Sequence, residues 1–256
     1  MKGLLIAAVL AVGLGGAGAA GAQSVVFEDP VGDDRGPGTY VYPSDPVYVR
    51  GAFDITRFEV RPGAGYVDFA VTVAADLTNP WRRTAGFSLQ FPIVFVAALE
   101  MGIDEGLPGQ NVMFDMPGWD RAVLMSPQPP ADVRREVERR DLETVAIVPS
   151  RRWTEGRTIV ARVPLSALPE GQPDEWAYQV LMQANDGMAT GRRLLMSVVY
   201  ELEGRHSFGG GDDGDCDPHV IDMLTPPGED QYAILGDYVC DADDERLALI
   251  PLLMAE

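Results

Sequence analysis

The apolar residues of this chain come in short runs separated by turn signals, which limits the fold more than any other feature. Val67, Phe69, Val71 and Val73 alternate with Asp68, Ala70, Thr72 and Ala74, the period of a strand with one face in a core. Residues 158–163 repeat the rule more weakly. Trp176, Tyr178, Val180 and Met182 share one face of a further strand. Segments 87–97 and 194–202 are more continuously apolar, as expected of central strands covered on both faces. Segment 53–60 starts in one phase and ends in the other, which predicts a bulge. Residues 246–254 read as a last strand. The breakers between these runs include Gly36-Pro37-Gly38, Pro62-Gly63, Asn79-Pro80, Pro108-Gly109, Pro129-Pro130 and Gly209-Gly210-Gly211.

One segment, 131–143, has helical spacing, with Val133 and Val137 one turn apart among charged residues. An excursion between strands is the other reading of it. Many short strands without alternating helices predict an all-β fold, a β-sandwich of immunoglobulin-like or jelly-roll type with at most one short helix. A parallel α/β fold is disfavoured. One domain is expected over residues 23–256.

Residues 1–22 read as a secretory signal peptide. Lys2 supplies the positive start, an apolar stretch follows, and Ala20-Gly21-Ala22 is a small-x-small cleavage site ahead of Gln23. The stretch is short and Gly-diluted for a bilayer span, and no later segment is long and apolar enough to be one. The expected product is secreted, periplasmic or held at the cell surface, without a transmembrane anchor after cleavage. In an oxidising compartment Cys216 and Cys240, the only cysteines, are expected to form a disulfide rather than remain free thiols.

Charge excludes other classes. The chain has 39 acidic and 20 basic residues, for a net charge of −19, and nucleic-acid binding needs clustered Lys and Arg instead. Two His and two Cys are too few for a multi-ligand zinc array. There is no Gly-x-Ser-x-Gly elbow, no His-Glu-x-x-His and no Gly-rich phosphate loop ahead of a helix. His206 and His219 read as loop histidines outside any recognisable triad. No catalytic residue is assigned, and the chain is read as a non-enzyme.

The acids concentrate in two places. Residues 203–256 hold 14 acids against Arg205 and Arg246, a crowding that repels itself unless cations or solvent relieve it. Within them Asp213, Asp215 and Asp217 alternate like the start of a calcium loop. The EF-hand pattern then fails, because its glycine position is Pro218 and its bidentate glutamate position is Leu224. A non-EF calcium loop and a solvated acidic loop are the two readings. The second cluster is Asp29-Pro30-Val31-Gly32-Asp33-Asp34-Arg35-Gly36-Pro37-Gly38. Its glycines permit tight turns that could gather Asp29, Asp33 and Asp34 around one ion; the alternative is a turn held by Asx hydrogen bonds.

That same N-terminal segment, continued through Thr39-Tyr40-Val41-Tyr42-Pro43, resembles the opening of the glucodextranase C-terminal domain family. Further pieces agree in order, among them Gly51-Ala52-Phe53-Asp54-Ile55-Thr56, Asn79-Pro80-Trp81, Leu107-Pro108-Gly109-Gln110-Asn111, Trp119-Asp120, Asn185-Asp186-Gly187 and Val220-Ile221-Asp222-Met223-Leu224. The resemblance covers residues 25–253. It implies a DOMON-like β-sandwich whose role is carbohydrate binding or attachment at the cell surface, with calcium as a plausible structural ion. The implied partner is a polysaccharide, an α-glucan or envelope glycan, or else an envelope protein.

Sugar sites offer exposed aromatic faces with polar groups around them. Trp81, Trp119 and Trp176 are expected in the core. Trp153, in a polar turn, is the best exposed candidate, with Tyr40 and Tyr42 near the N-terminal turn beside it, and Tyr48 further along. Two other classes compete. Some DOMON-type relatives carry haem, but two His and no Cys-x-x-Cys-His give little to ligate it, so no haem is expected. A structural envelope protein that binds cations or a basic partner through its acidic C-terminal segment is the other class.

Overall fold

A computed structural model describes residues 23–98, 101–185, 196–212, 216–241 and 246–255. In chain order the strands are β1 (Val25–Glu28), β2 (Ile55–Gly63), β3 (Tyr66–Val73), β4 (Gln90–Ala97), β5 (Val112–Phe114), β6 (Arg121–Leu124) and β7 (Ala146–Ile147). They continue with β8 (Arg151–Glu155), β9 (Thr158–Pro164), β10 (Ala177–Ala184), β11 (Asp222–Met223), β12 (Ala248–Ile250) and β13 (Leu253–Met254). Two short α-helices are α1 (Pro130–Glu138) and α2 (Gln231–Leu235).

The first sheet has the order β1-β2-β3-β9-β8 and is antiparallel throughout. The second has the order β11-β10-β4-β6-β7, with β13 on the same side of β10 as β11. The sandwich forms where the two sheets face one another. Val67, Phe69, Val71 and Val73 of β3, with Ile159, Ala161 and Val163 of β9, meet Tyr178, Val180 and Met182 of β10 in one buried cluster. Ring contacts tie its centre: Phe58 lies 5.9 Å from Phe27, 6.3 Å from Phe69 and 5.7 Å from Tyr178. The fold is therefore the expected all-β sandwich.

The second sheet is covered on its other face as well. Phe91, Ile93 and Phe95 of β4 and Leu181 of β10 pack against Phe114, Trp119, Val133 and Val137. This third layer explains why β4 and β10 are buried along their whole lengths. It also explains α1, whose Val133 and Val137 are its inward stripe. The helix starts on Pro130, a position where the missing amide proton costs nothing, and ends at Glu138, earlier than the sequence suggests.

The bulge expected in 53–60 is present, as a register shift between Ile55 and Arg57. Two strand expectations are corrected. Segment 246–254 is not one strand: β12 pairs parallel with β5, β13 pairs with β10, and Pro251 lies between them. Residues 194 and 195 lie outside the described residues. Beyond them Met196 makes a single bridge to Asn185, and Leu202 is 75% exposed at the end of an irregular segment. Apolarity there reflects a segment that leaves the core, not a central strand.

Candidate functional site

The N-terminal turn packs across one end of the sandwich. Asp29 follows β1, and its Oδ1 accepts from the Thr225 amide at 2.7 Å. Gly32, at φ +96°, turns the chain in a region that a side chain would strain. Its amide donates to Asp54 Oδ2 at 2.7 Å, immediately ahead of β2. Asp33 follows, with its carbonyl held by the Gln231 carboxamide at 2.6 Å. Asp222 opens β11, is wholly buried, and accepts the Ile55 amide on its Oδ2.

Asp29, Asp33 and Asp222 thereby come together, with one carboxylate oxygen from each within 4.8 Å of the others. Asp54 adds a fourth charge, felt by Asp29 and Asp222. Burial, reinforced by neighbouring carboxylates, pushes the Asp29 carboxyl up to about 9, against the pull of the Thr225 amide. Burial likewise raises Asp33 to about 6, Asp54 to about 7 and Asp222 well above the usual range. A cleft of about 630 Å³ opens beside the group, lined by Gly32, Asp34, Arg35, Tyr42, Arg50 and Asp54.

Other residues singled out in the sequence take different places. Asp34 accepts a hydrogen bond from the Tyr42 hydroxyl and does not join the carboxylate group. Asp217 accepts from the Tyr40 hydroxyl at 3.0 Å and lies 4.0 Å from His219 Nδ1. It is not gathered with Asp29 and Asp33. Asp213 and Asp215 lie outside the described residues. Cys216 and Cys240 are joined, with Cα atoms 5.7 Å apart. Asp222 and Asp54 were not among the sequence candidates. Both sit in otherwise apolar strand-edge segments, and only the fold brings them to the N-terminal turn.

The aromatic expectations divide in the same way. Tyr40 is 1% exposed and offers no ring face. Tyr42 is largely enclosed by Phe53 and Phe208. Each hydroxyl is spent on a buried carboxylate, as a phenol in a core requires. Trp119 and Trp176 are in the core, but Trp81 is not: it is 37% exposed, beside His206. His219 lies on an irregular segment, as expected of a loop histidine, and is buried there.

Trp153 is partly exposed on the outer face of the first sheet. It stands in register with Val160 of β9, which stands beside Ala70 of β3. The Arg162 guanidinium lies 3.7 Å from the Tyr66 ring centre and 5.7 Å from that of Trp153, and it forms a bidentate pair with Asp68 at 2.6 Å. Arg151 approaches the same indole at 4.9 Å. The indole N–H donates to Glu155 at 2.8 Å, and Arg61 reaches across to Glu155 at 2.9 Å. Those two contacts hold the Glu155 carboxyl below its ordinary range. The result is an aromatic platform, fixed in orientation and ringed by donors and acceptors.

Two covered sheets with their polar chemistry on one end and one outer face define a β-sandwich module. The chain belongs to the family described as the C-terminal binding module, SLH-like, of glucodextranase, whose family model matches residues 25–252. That family is a binding module and not a catalytic domain, in keeping with the association of such modules with the cell envelope. No curated protein matches the chain. Among the described residues no helix is long and apolar enough to cross a membrane.

Proposed function

We propose that the protein is an exported, non-catalytic module that holds polysaccharide at the cell envelope, on the outer sheet face around Trp153. The observation that carries the reading is the stack of Tyr66, Arg162 and Trp153. Aromatic faces pack on the CH surfaces of sugar rings, and Glu155, Arg61 and Arg151 stand around them to meet hydroxyl groups. The sheet presents these groups from regular strands, so little order has to be gained on binding.

Affinity electrophoresis against α-glucans and envelope polysaccharides tests this. Retardation on at least one glycan is expected, and Trp153→Ala should weaken it by at least about 10-fold, as for a central aromatic anchor. Its melting temperature should move little, because the indole is not in the core. Trp81→Ala is the comparison, since Trp81 is the more exposed indole and lies beside His206, away from the Trp153 face. Loss of binding in Trp81→Ala with retention in Trp153→Ala would place the sugar elsewhere. No retardation on any glycan would rule out sugar binding and leave an envelope protein as the partner.

A further inference from the structure

The carboxylate group at the N-terminal turn has a regular construction. In Asp29, Asp54 and Asp222 one oxygen is held by a backbone amide, from Thr225, Gly32 and Ile55 respectively. The second oxygen of each, and Oδ1 of Asp33, is buried without a hydrogen-bond partner. Asp222 is fully buried, so its free oxygen has no recourse to bulk water. Among the described residues no Arg side chain is hydrogen-bonded to any of the four. Buried carboxylate oxygens left unpaired are costly, and four in one place repel one another. The amides fix one side of each carboxylate, in the manner of the outer hydrogen bonds that orient metal ligands.

We propose that Asp29, Asp33 and Asp222, with Asp54 beside them, form a binding site for one calcium ion. All donors are oxygens, which suits a hard cation and disfavours zinc or copper. Calcium–oxygen bonds of about 2.4 Å allow two donors to stand up to about 4.8 Å apart across the ion, and the three carboxylates lie within that span. Magnesium demands a stricter octahedron and keeps more of its water. The adjoining cleft, with Asp54 and Gly32 in its wall, is the side from which an ion and its remaining waters enter. The positions explain what the ion does. Asp29 and Asp54 border β1 and β2 of the first sheet, while Asp222 begins β11 of the second, so the ion ties the two sheets and the N-terminal turn together. This inference does not depend on the glycan reading.

The test uses the purified protein, stripped with chelator and titrated with calcium chloride in a calorimeter, alongside thermal melts. We expect about one calcium per chain and a melting temperature about 8 °C or more higher with calcium than in chelator, the shift expected for a domain of this size at saturation. Asp222→Asn should weaken calcium binding at least about 100-fold and make the melt indifferent to chelator. In chelator the same variant should melt close to the unmodified protein, since its side-chain amide keeps the acceptor for the Ile55 amide. A merely structural aspartate would instead lower both melts. Asp132→Asn, on the exposed side of α1, should change neither quantity. No calcium heat at millimolar ion, together with identical melts in calcium and chelator, would overturn the site. If Asp222→Asn does not fold, that wild-type pair of measurements decides alone.

Discussion

Tyr178→Ala is expected to lower the unfolding free energy by about 4 kcal/mol, the range for emptying an aromatic site in a core, and the melting temperature by roughly 8–16 °C. The ring stands where the two sheets meet. It lies 5.9 Å from Phe27, 5.7 Å from Phe58, and 6.5 Å from both Phe69 and Trp176. Those partners belong to β1, β2 and β3 of the first sheet and to the entry to β10, where strand pairing fixes their backbones, so they cannot collapse into the space together. The hydroxyl is a smaller matter. It donates to the Pro173 carbonyl at 2.6 Å, and burial holds the phenol proton more tightly than usual. Tyr178→Phe should therefore cost only about 0.5–1.5 kcal/mol. Denaturant melts of the two variants separate ring from hydroxyl, and equal losses would mean that the packing account is wrong.

The same strand shows what the sequence made legible. Period-two alternation placed Trp176, Tyr178, Val180 and Met182 on one face, and that face is the inter-sheet core. The continuous burial of β10 was less readable, because its other face carries Gln179 and Gln183, which the sequence would assign to solvent. Gln179 is buried by its bonds to the Leu224 and Pro251 carbonyls at 3.1 and 2.8 Å. That pairing needs the C-terminal segments to come back over the sheet, and no local pattern encodes it. Residues 196–202 misled in the opposite direction, since apolar content without alternation does not distinguish a covered strand from a loop with a few inward side chains.

The carboxylate site divides in a similar way. Asp29, Asp33 and the turn at Gly32 are readable together because they are neighbours in sequence. Asp54 and Asp222 are separated from them by long stretches of chain, and each looks like a lone acid beside an apolar run. Their role follows from strand pairing, which sets β2 beside β1 and brings β11 against β10. Asp34 stands apart from the three gathered carboxylates for a local reason. It follows Asp33 directly, but consecutive side chains point apart, and the Tyr42 hydroxyl captures it instead.

Removing the Cys216–Cys240 disulfide, by Cys216→Ser with Cys240→Ser, is expected to cost about 3.5 kcal/mol, from the loop-closure entropy released by a bridge of this span. The two cysteines are 24 residues apart, and the intervening chain contains β11 and α2. Two anchors already hold that loop. Met223 and Leu224 are bound through the Gln231 and Gln179 carboxamides at 2.9 Å, and Gln231 also reaches the Asp33 carbonyl. In the folded protein the bridge therefore adds little order, and its effect falls mainly on the unfolded chain, where nothing else closes the loop. The melting temperature should drop by roughly 7–14 °C, and reductant should produce the same drop in the unmodified protein. Alkylation of native protein should find no free thiol; labelling of both cysteines before unfolding would contradict the bridge. The closed loop also carries Asp222, but the bridge acts on the unfolded chain, whereas an ion at the proposed carboxylate site would act on the folded one. Their contributions should therefore add: chelator should lower the melt of the double serine variant by about as much as that of the bridged protein, and a clearly different drop would mean that the bridge also shapes the folded site.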